Sequence, residues 1–152
     1  MTMEIVRGGI DDLPAIMPIM TQAFSARFGE AWTESQCVGV MAMPGSQLII
    51  ARDDMAVGFA LSRTIIDECE LMLLAVSPDS QRNGVGRDLL MAMAANARVA
   101  GARSIFLEVR QGNPAISLYS LAGFGEVGQR RGYYRGRDGE TFDALTFRLN
   151  LS

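Results

Sequence analysis

The amino-acid sequence predicts an α/β fold, with a central mixed and twisted β-sheet of about six or seven strands flanked by about four helices. Short apolar runs bounded by turn residues alternate with segments in which apolar residues recur at helical spacing. Residues 70–76 form a nearly unbroken apolar run, which is typical of a central strand. A length of 152 residues suits one compact domain, so we expect residues 1–152 to form a single domain.

The beginning of the chain predicts a strand followed by a helix. Residues 3–7 have the pattern of a short opening strand, and Asp11 or Asp12 can cap the next element. The apolar residues of that element fall at helical spacing: Leu13, Ile16, Ile19, Met20 and Phe24.

A second helix and a β-hairpin are predicted next. Thr33 and Gln36 have the spacing of a capping box, which predicts a helix that runs to about Met43. Two strand-like runs follow at residues 47–52 and 56–63, separated by a short polar connection that favours a hairpin.

The second half of the chain predicts a crossover and a terminal hairpin. The strand at residues 70–76 is followed by a helix at 85–100 and a strand at 104–109, an order that requires a parallel, right-handed crossover. The remaining predicted elements are a helix at 114–122 and two antiparallel strands at 125–133 and 142–149.

Composition excludes several classes of function. The net charge of −3 gives no overall basic field, so a nucleic-acid partner is disfavoured. The chain has no histidine, which removes histidine-activated nucleophiles and imidazole metal ligands, and we expect no metal. Its longest apolar stretch, residues 71–76, is far shorter than the roughly 20 residues that cross a bilayer. We therefore expect no membrane partner and a cytoplasmic location.

A glycine-containing loop lies between the strand at 70–76 and the helix at 85–100. Its residues are Gln81, Arg82, Asn83, Gly84, Val85, Gly86 and Arg87. Without side chains at Gly84 and Gly86, a pyrophosphate can reach the N–H groups that the first helical turn leaves unpaired. Arg82 and Arg87 can add positive charge. The loop also has a plain alternative, in which it only begins a helix.

These and later residues resemble the GNAT acetyltransferase superfamily. The resembling motifs are Leu73-Leu74-Ala75-Val76-Ser77-Pro78, Gln81-Arg82-Asn83-Gly84-Val85-Gly86 and Leu89-Leu90. The branch that acetylates the N-terminal alanine of a small-subunit ribosomal protein is suggested by Leu107-Glu108-Val109-Arg110, Asn113, Ala115-Ile116, Leu118-Tyr119, Gly123-Phe124, Tyr133-Tyr134, Trp32-Thr33 and Asp143-Ala144. The resemblance is dense over residues 70–147 and thin before them. In one departure, Pro114 alone separates Asn113 from Ala115, where members of the family usually have two residues.

The resemblance implies a GNAT fold and acetyl-CoA as cosubstrate. An acceptor amine, from a protein N-terminus or a small molecule, would attack bound acetyl-CoA directly in a ternary complex. The residues implied in cofactor binding are Leu74, Ala75, Val76, the loop residues Gln81 to Arg87, and Asn113. A splay between the strands at 70–76 and 104–109 would admit the acetyl-pantetheine arm. The alternatives are a GNAT enzyme for lysine or small-molecule amines and a non-catalytic acyl-CoA sensor.

Candidate catalytic residues follow from chemistry and resemblance together. Glu108 is the first candidate base, because it stands alone among the apolar residues Ile105, Phe106, Leu107 and Val109 in a strand with the pattern of a buried one. An outward-facing glutamate or a structural pair with an arginine is the alternative. Glu70 is the second candidate base, and Tyr119 matches the tyrosine that protonates the departing thiolate in the resembled enzymes. The resemblance assigns Trp32, Tyr133 and Tyr134 to the acceptor site. For Tyr133 and Tyr134 the alternative is an exposed aromatic strand.

Overall fold

The computed structural model describes residues 3–151 and contains one seven-stranded sheet with helices on both faces. The strands are β1 (Glu4–Gly8), β2 (Ser46–Arg52), β3 (Ala56–Ile65), β4 (Glu68–Val76), β5 (Ser104–Arg110), β6 (Gly125–Arg135) and β7 (Thr141–Asn150). The helices are α1 (Leu13–Ala23), α2 (Glu34–Met41), α3 (Val85–Val99) and α4 (Ala115–Leu121). The predicted fold class and the predicted numbers of strands and helices are confirmed.

The strand order is β1-β2-β3-β4-β5-β7-β6. Every neighbouring pair is antiparallel except β4 and β5, which are parallel and joined through α3. The predicted crossover is therefore confirmed, and β4 lies in the middle of the sheet as expected from its apolar sequence. The terminal hairpin is also present, with β7 rather than β6 beside β5.

Hydrophobic clusters cover both faces of the sheet. On one face α3 and α4 pack through Leu89, Met93 and Tyr119 against β5 residues such as Ile105. On the other face α1 packs through Leu13, Ile16, Ile19 and Met20. Amphipathic helices on a central sheet bury one face each, so both layers are held mainly by apolar burial.

A β-bulge in β4 changes which face its side chains occupy. The register with β3 pairs Leu61 with Leu73 and Ser62 with Leu71, so Met72 is an extra residue on β4. Leu71 consequently packs with α3, whereas Leu73 packs with α1, although residues two apart normally share a face.

The parallel pairing of β4 and β5 is short. It joins Glu68 to Ser104, Cys69 to Ile105 and Glu70 to Phe106, and no β4–β5 partner follows these three within residues 3–151. The two strands diverge toward their carboxyl ends, which confirms the predicted splay.

The sequence predicted the start of α2 more closely than its end. The capping box is present, since Thr33 Oγ1 accepts from the Gln36 N–H at 3.2 Å and Gln36 Oε1 accepts from the Thr33 N–H at 2.7 Å. The helix ends at Met41, two residues before the predicted end at about Met43. The chain must leave the helix to turn at Gly45, whose φ is +81° and whose carbonyl accepts from the Thr64 N–H at 2.9 Å.

The helices of residues 3–151 include none long and apolar enough to cross a membrane.

Candidate active site

A cavity of about 660 Å³ lies where β4 and β5 diverge. Its walls come from β4 and the glycine-containing loop, from β5 and α4, and from the segment that follows α1. The predicted site residues on its wall are Leu74, Ala75, Val76, Gln81, Arg82, Gly84, Gly86, Arg87, Glu108, Asn113, Tyr119 and Tyr134. The structure thus brings together residues that are up to sixty positions apart in the chain.

The loop before α3 presents free main-chain donors to this cavity. Asp88 makes the first intrahelical bond, to the Gly84 carbonyl at 3.0 Å, which leaves the N–H groups of residues 85–87 without an acceptor inside the helix. Gly84 has a φ of +82°, and Arg82 takes a left-handed conformation with a φ of +68°. Gln81 closes the loop by donating to the Val76 carbonyl at 3.0 Å. Such a helix N-terminus suits a phosphate group.

Two predicted loop residues have different surroundings. Val85 is the first residue of α3 and its side chain is buried in the core, so only its main chain is available to a ligand. Asn83 is exposed and lies outside the cavity wall.

The edge of β4 that faces the cavity has lost its strand partner. Leu74, Ala75 and Val76 pair with β3 on one side, while β5 has diverged on the other. Alternate main-chain groups of an antiparallel strand point to opposite edges, so part of this segment can hydrogen bond to an extended ligand in the cleft. The arrangement fits the pantetheine arm of coenzyme A.

Glu108 lies on β5 with a side chain that is only 7% exposed. Its Oε1 is 3.0 Å from Arg130 Nε, and its Oε2 accepts a hydrogen bond from Thr146 Oγ1 at 2.6 Å. Glu108 lies on the cavity wall and is also paired with an arginine. The position expected of a base and the structural ion pair thus occur together.

The register of β6 is irregular immediately after Arg130. Arg130 pairs with Ala144 and Tyr134 pairs with Phe142, so three residues of β6 lie opposite Asp143 alone. Asp143 holds this irregular stretch in place. Its Oδ1 accepts from the Gly132 N–H at 2.9 Å, and its Oδ2 accepts from the Gln129 side-chain amide at 3.1 Å.

Glu70 lies outside the cavity wall but close to the same carboxylate. Burial raises the pKa of Glu70, and the negative charge of Glu108 raises it further, while Arg130 and Arg63 oppose the change. The charges of Glu108 and Arg130 therefore both act on the second candidate base.

The three tyrosines lie at different depths. Tyr119 is 7% exposed and its ring contacts Phe124 edge-on, with centroids 5.8 Å apart. Burial raises the pKa of the Tyr119 phenol well above its usual range, and the charge of Glu30 adds to this. Burial followed by Glu30 also raises the pKa of Tyr134, whose hydroxyl donates to the Glu108 carbonyl at 3.2 Å. Tyr133 is 48% exposed and packs edge-on against Tyr134.

Asn113 and Trp32 have mainly internal contacts. The Asn113 Nδ2 donates to Glu30 Oε2 at 2.7 Å, and its Oδ1 accepts from the Ala115 N–H at 2.8 Å. One side-chain N–H of Asn113 remains for a ligand. Trp32 packs beside the α1 core cluster and lies outside the cavity wall.

Sequence reasoning missed Glu30, Phe28 and the role of Arg110. Glu30 Oε1 is 3.1 Å from Arg110 Nε, with both side chains at most 10% exposed, and the Arg110 guanidinium lies 3.6 Å from the centre of the Phe28 ring. An arginine in a buried strand signals that a partner exists. The partner is 80 residues away in the chain, so no local pattern identifies it.

The splayed strands, the donor-rich loop, and the carboxylate and phenol in one cavity form an arrangement suited to acyl transfer. Residues 13–124 match the sequence model of the acetyltransferase (GNAT) family, and the chain belongs to this family. It is an acetyl-CoA-dependent N-acetyltransferase, as the sequence resemblance implied.

Individual relatives match over most of the chain. The chain is 35% identical to ribosomal protein bS18-alanine N-acetyltransferase of Salmonella typhimurium, over 93% of each protein. It is 33% identical to N-alpha-acetyltransferase RimI of Mycobacterium tuberculosis, over 82% of this chain and 87% of that protein. The crystal structure of the ribosomal-protein-S18-alanine N-acetyltransferase from Escherichia coli superposes with a TM-score of 0.88 at 31% identity, covering 99% of this chain and 95% of the other.

The geometry of the loop before α3 predicts the effect of adding a side chain at Gly86. A Cβ at Gly86 would lie 3.3 Å from Leu118 Cδ2, on the cavity wall. Gly86→Val should therefore weaken acetyl-CoA binding by about tenfold or more, since overfilling a packed site costs roughly 1–3 kcal/mol. Calorimetric titration measures the affinity. Gly39→Val is the matched control, because Gly39 is an exposed helical glycine with no neighbour within 4 Å of its Cβ position. Unchanged acetyl-CoA affinity in Gly86→Val would contradict the prediction that this loop binds the cosubstrate.

Proposed function

We propose that residues 1–152 act as one domain that transfers the acetyl group of acetyl-CoA to the N-terminal α-amine of a protein. The acceptor best supported is a ribosomal protein that begins with alanine, the substrate type in the names of relatives at 33–35% identity. The observation that carries the proposal is that Glu108 and Tyr119 line the same cavity as the loop before α3. The reaction would take place in the cytoplasm, without a nucleic-acid or membrane partner.

Glu108 is the proposed base, acting directly or through a water molecule. Its side chain lies on the face of β5 opposite to Leu107 and Val109, which pack toward α3 and α4. The acceptor would approach from the Glu108 side of β5. The pair with Arg130 does not lock the carboxylate, because the Arg130 side chain is 61% exposed and can move into solvent. Glu70 is the second candidate, since its raised pKa makes it a better proton acceptor than an ordinary glutamate.

Tyr119 is the proposed proton donor to the departing thiolate. Its ring belongs to the cluster on the α3 and α4 face, on the other side of β5 from Glu108. The raised pKa keeps the phenol protonated at neutral pH, as a donor requires. The acceptor nitrogen forms its bond to the carbonyl carbon as the carbon–sulfur bond breaks, with no covalent acetyl-enzyme. A main-chain N–H of β4 is the proposed oxyanion donor.

The loop before α3 would hold the cosubstrate. The N–H groups of residues 85–87 and the guanidinium groups of Arg82 and Arg87 would contact the pyrophosphate, while residues 74–76 would contact the pantetheine arm. Asn113 would contribute its remaining side-chain N–H. Tyr133, Tyr134 and Trp32 are proposed to shape the acceptor side.

The reference pKa values of amines favour an α-amine over a lysine as the acceptor. An α-amine has a reference pKa of about 7.7–8.0, whereas lysine has one of about 10.4, so far more of an α-amine is neutral at pH 7. A carboxylate base can therefore deprotonate an α-amine more readily than a lysine.

The test is acetyl-CoA-dependent release of thiol in the presence of defined acceptors. The panel contains peptides with free alanine, serine or methionine N-termini, matched blocked peptides that carry lysine, and small amines. Activity confined to alanine-initiated peptides is the expected result. Activity confined to small amines or lysine would overturn the proposed acceptor while leaving acetyl transfer intact. Binding of acetyl-CoA without transfer to any acceptor would support the acyl-CoA sensor instead.

A further inference from the structure

A short segment between α1 and α2 covers one end of the cavity. We call residues 25–30 the bridging segment. It contains a 3-10 turn, Ala26–Phe28, whose N-terminus is capped because Ser25 Oγ accepts from the Arg27 N–H at 3.3 Å. Ser25, Phe28 and Glu30 all lie on the cavity wall. The segment therefore contacts whatever occupies the cleft.

One side of the bridging segment is joined to β5 and α4 by buried polar contacts. Glu30 accepts from Arg110 Nε at 3.1 Å through one carboxylate oxygen and from Asn113 Nδ2 at 2.7 Å through the other. The Arg110 guanidinium stacks on Phe28 of the same segment. Within residues 3–151 every buried side-chain nitrogen and oxygen has at least one hydrogen-bond partner, those of this network included.

The other side is pressed against the β6–β7 hairpin. Phe28 contacts Phe142 edge-on at a centroid distance of 5.1 Å, and the Arg137 N–H donates to the Ala26 carbonyl at 3.2 Å. A Cβ at Gly136 would clash with the Arg27 carbonyl oxygen, so the two backbones are in close contact. The bridging segment is thus held between the cofactor side and the acceptor side of the site.

The network continues to Tyr119 through the start of α4. Asn113 accepts from the N–H of Ala115, the first residue of α4, and Tyr119 lies one turn later on the same face of the helix. Glu30 fixes the Asn113 amide and thereby the orientation of this first turn.

We propose that Glu30 is a positioning residue for acetyl transfer. Together with Arg110 and Asn113 it holds the bridging segment across the cleft and fixes the first turn of α4, so that the Tyr119 hydroxyl stays in its productive place. This inference rests on the proposed role of Tyr119 as proton donor. A purely stabilising role explains the buried charges less well, because a buried ion pair contributes little net stability compared with apolar side chains of the same size.

The test is a double-mutant cycle on kcat with an alanine-initiated peptide. Glu30→Gln keeps the size and the acceptor for Asn113 but removes the charge opposite Arg110. We expect it to lower kcat by about 10-fold or more, as misplacement of a catalytic group does, and by less than about twofold in a Tyr119→Phe background. Equal factors in both backgrounds would overturn the proposal. Glu30→Asp, which retains the charge, should recover part of kcat and replaces Glu30→Gln if that variant does not fold.

Two further measurements separate positioning from general damage. The matched control is Glu140→Gln, which removes an exposed ion pair between the hairpin and Arg27 of the same segment and should leave kcat unchanged. Hydrogen exchange of residues 25–30 should become faster in Glu30→Gln and stay unchanged in Glu140→Gln. Exchange that does not respond to Glu30→Gln would overturn the proposal whatever the kinetics show. If the wild-type protein acetylates no α-amine, the proposed function fails, and exchange still decides whether Glu30 holds the segment.

Discussion

Replacement of Glu108 by glutamine should lower kcat/KM for an alanine-initiated peptide by about 10²- to 10⁴-fold, the usual contribution of a general base. The amide of the variant has the same size and can still accept from Thr146, but it cannot take a proton from the acceptor ammonium. Acetyl-CoA affinity should stay within about threefold of wild type, because the cradle before α3 is untouched. Steady-state kinetics and calorimetric titration measure the two quantities.

Two companion variants distinguish the base from its neighbours. If Glu70 is the base, Glu70→Gln will cost more than Glu108→Gln, and the assignment must be exchanged. If Glu108 serves only as the partner of Arg130, then Arg130→Gln should reduce activity as much as Glu108→Gln does. Glu126→Gln, an exposed glutamate on β6, is the control for a change in charge alone.

The parts of the site that could be predicted from sequence are those built by neighbours in the chain. Gly84 and Gly86 lie where the chain passes from a buried strand to a helix, so local rules predict the unpaired N–H groups at the start of α3, and the structure has them there. Thr33 and Gln36 form their capping box for the same reason. The alternating and apolar patterns likewise identified every strand to within two residues at most of its ends.

The parts that could not be predicted depend on register and on distant partners. Nothing in the apolar run of β4 indicates that Met72 is a bulge, and the bulge decides which face Leu71 and Leu73 occupy. Arg130 on β6 meets Glu108 on β5 across β7, and only the strand order and alignment bring these two residues together. Such features arise from how strands align, and a shift of one residue would move each side chain to the other face.

Replacement of Tyr119 by phenylalanine should lower kcat by about 10²-fold or more, because the thiolate then leaves without a positioned proton donor. The variant keeps the ring, so the edge-on contact with Phe124 and the packing below α4 are retained. The melting temperature should therefore remain close to that of wild type, and the KM for acetyl-CoA should change little. A kcat within about twofold of wild type would remove Tyr119 from the proposed mechanism.

The pH dependence of the same pair of enzymes gives a second test of Tyr119. Burial and the charge of Glu30 raise the pKa of this phenol, so its neutral, donating form persists to higher pH than that of an ordinary tyrosine at about 10. Loss of kcat through ionisation of Tyr119 should accordingly begin only above about pH 10 in the wild-type enzyme. A decline of kcat between pH 8 and 9.5 that is present in wild type and absent in Tyr119→Phe would contradict this environment, because it would require a Tyr119 pKa below the ordinary value.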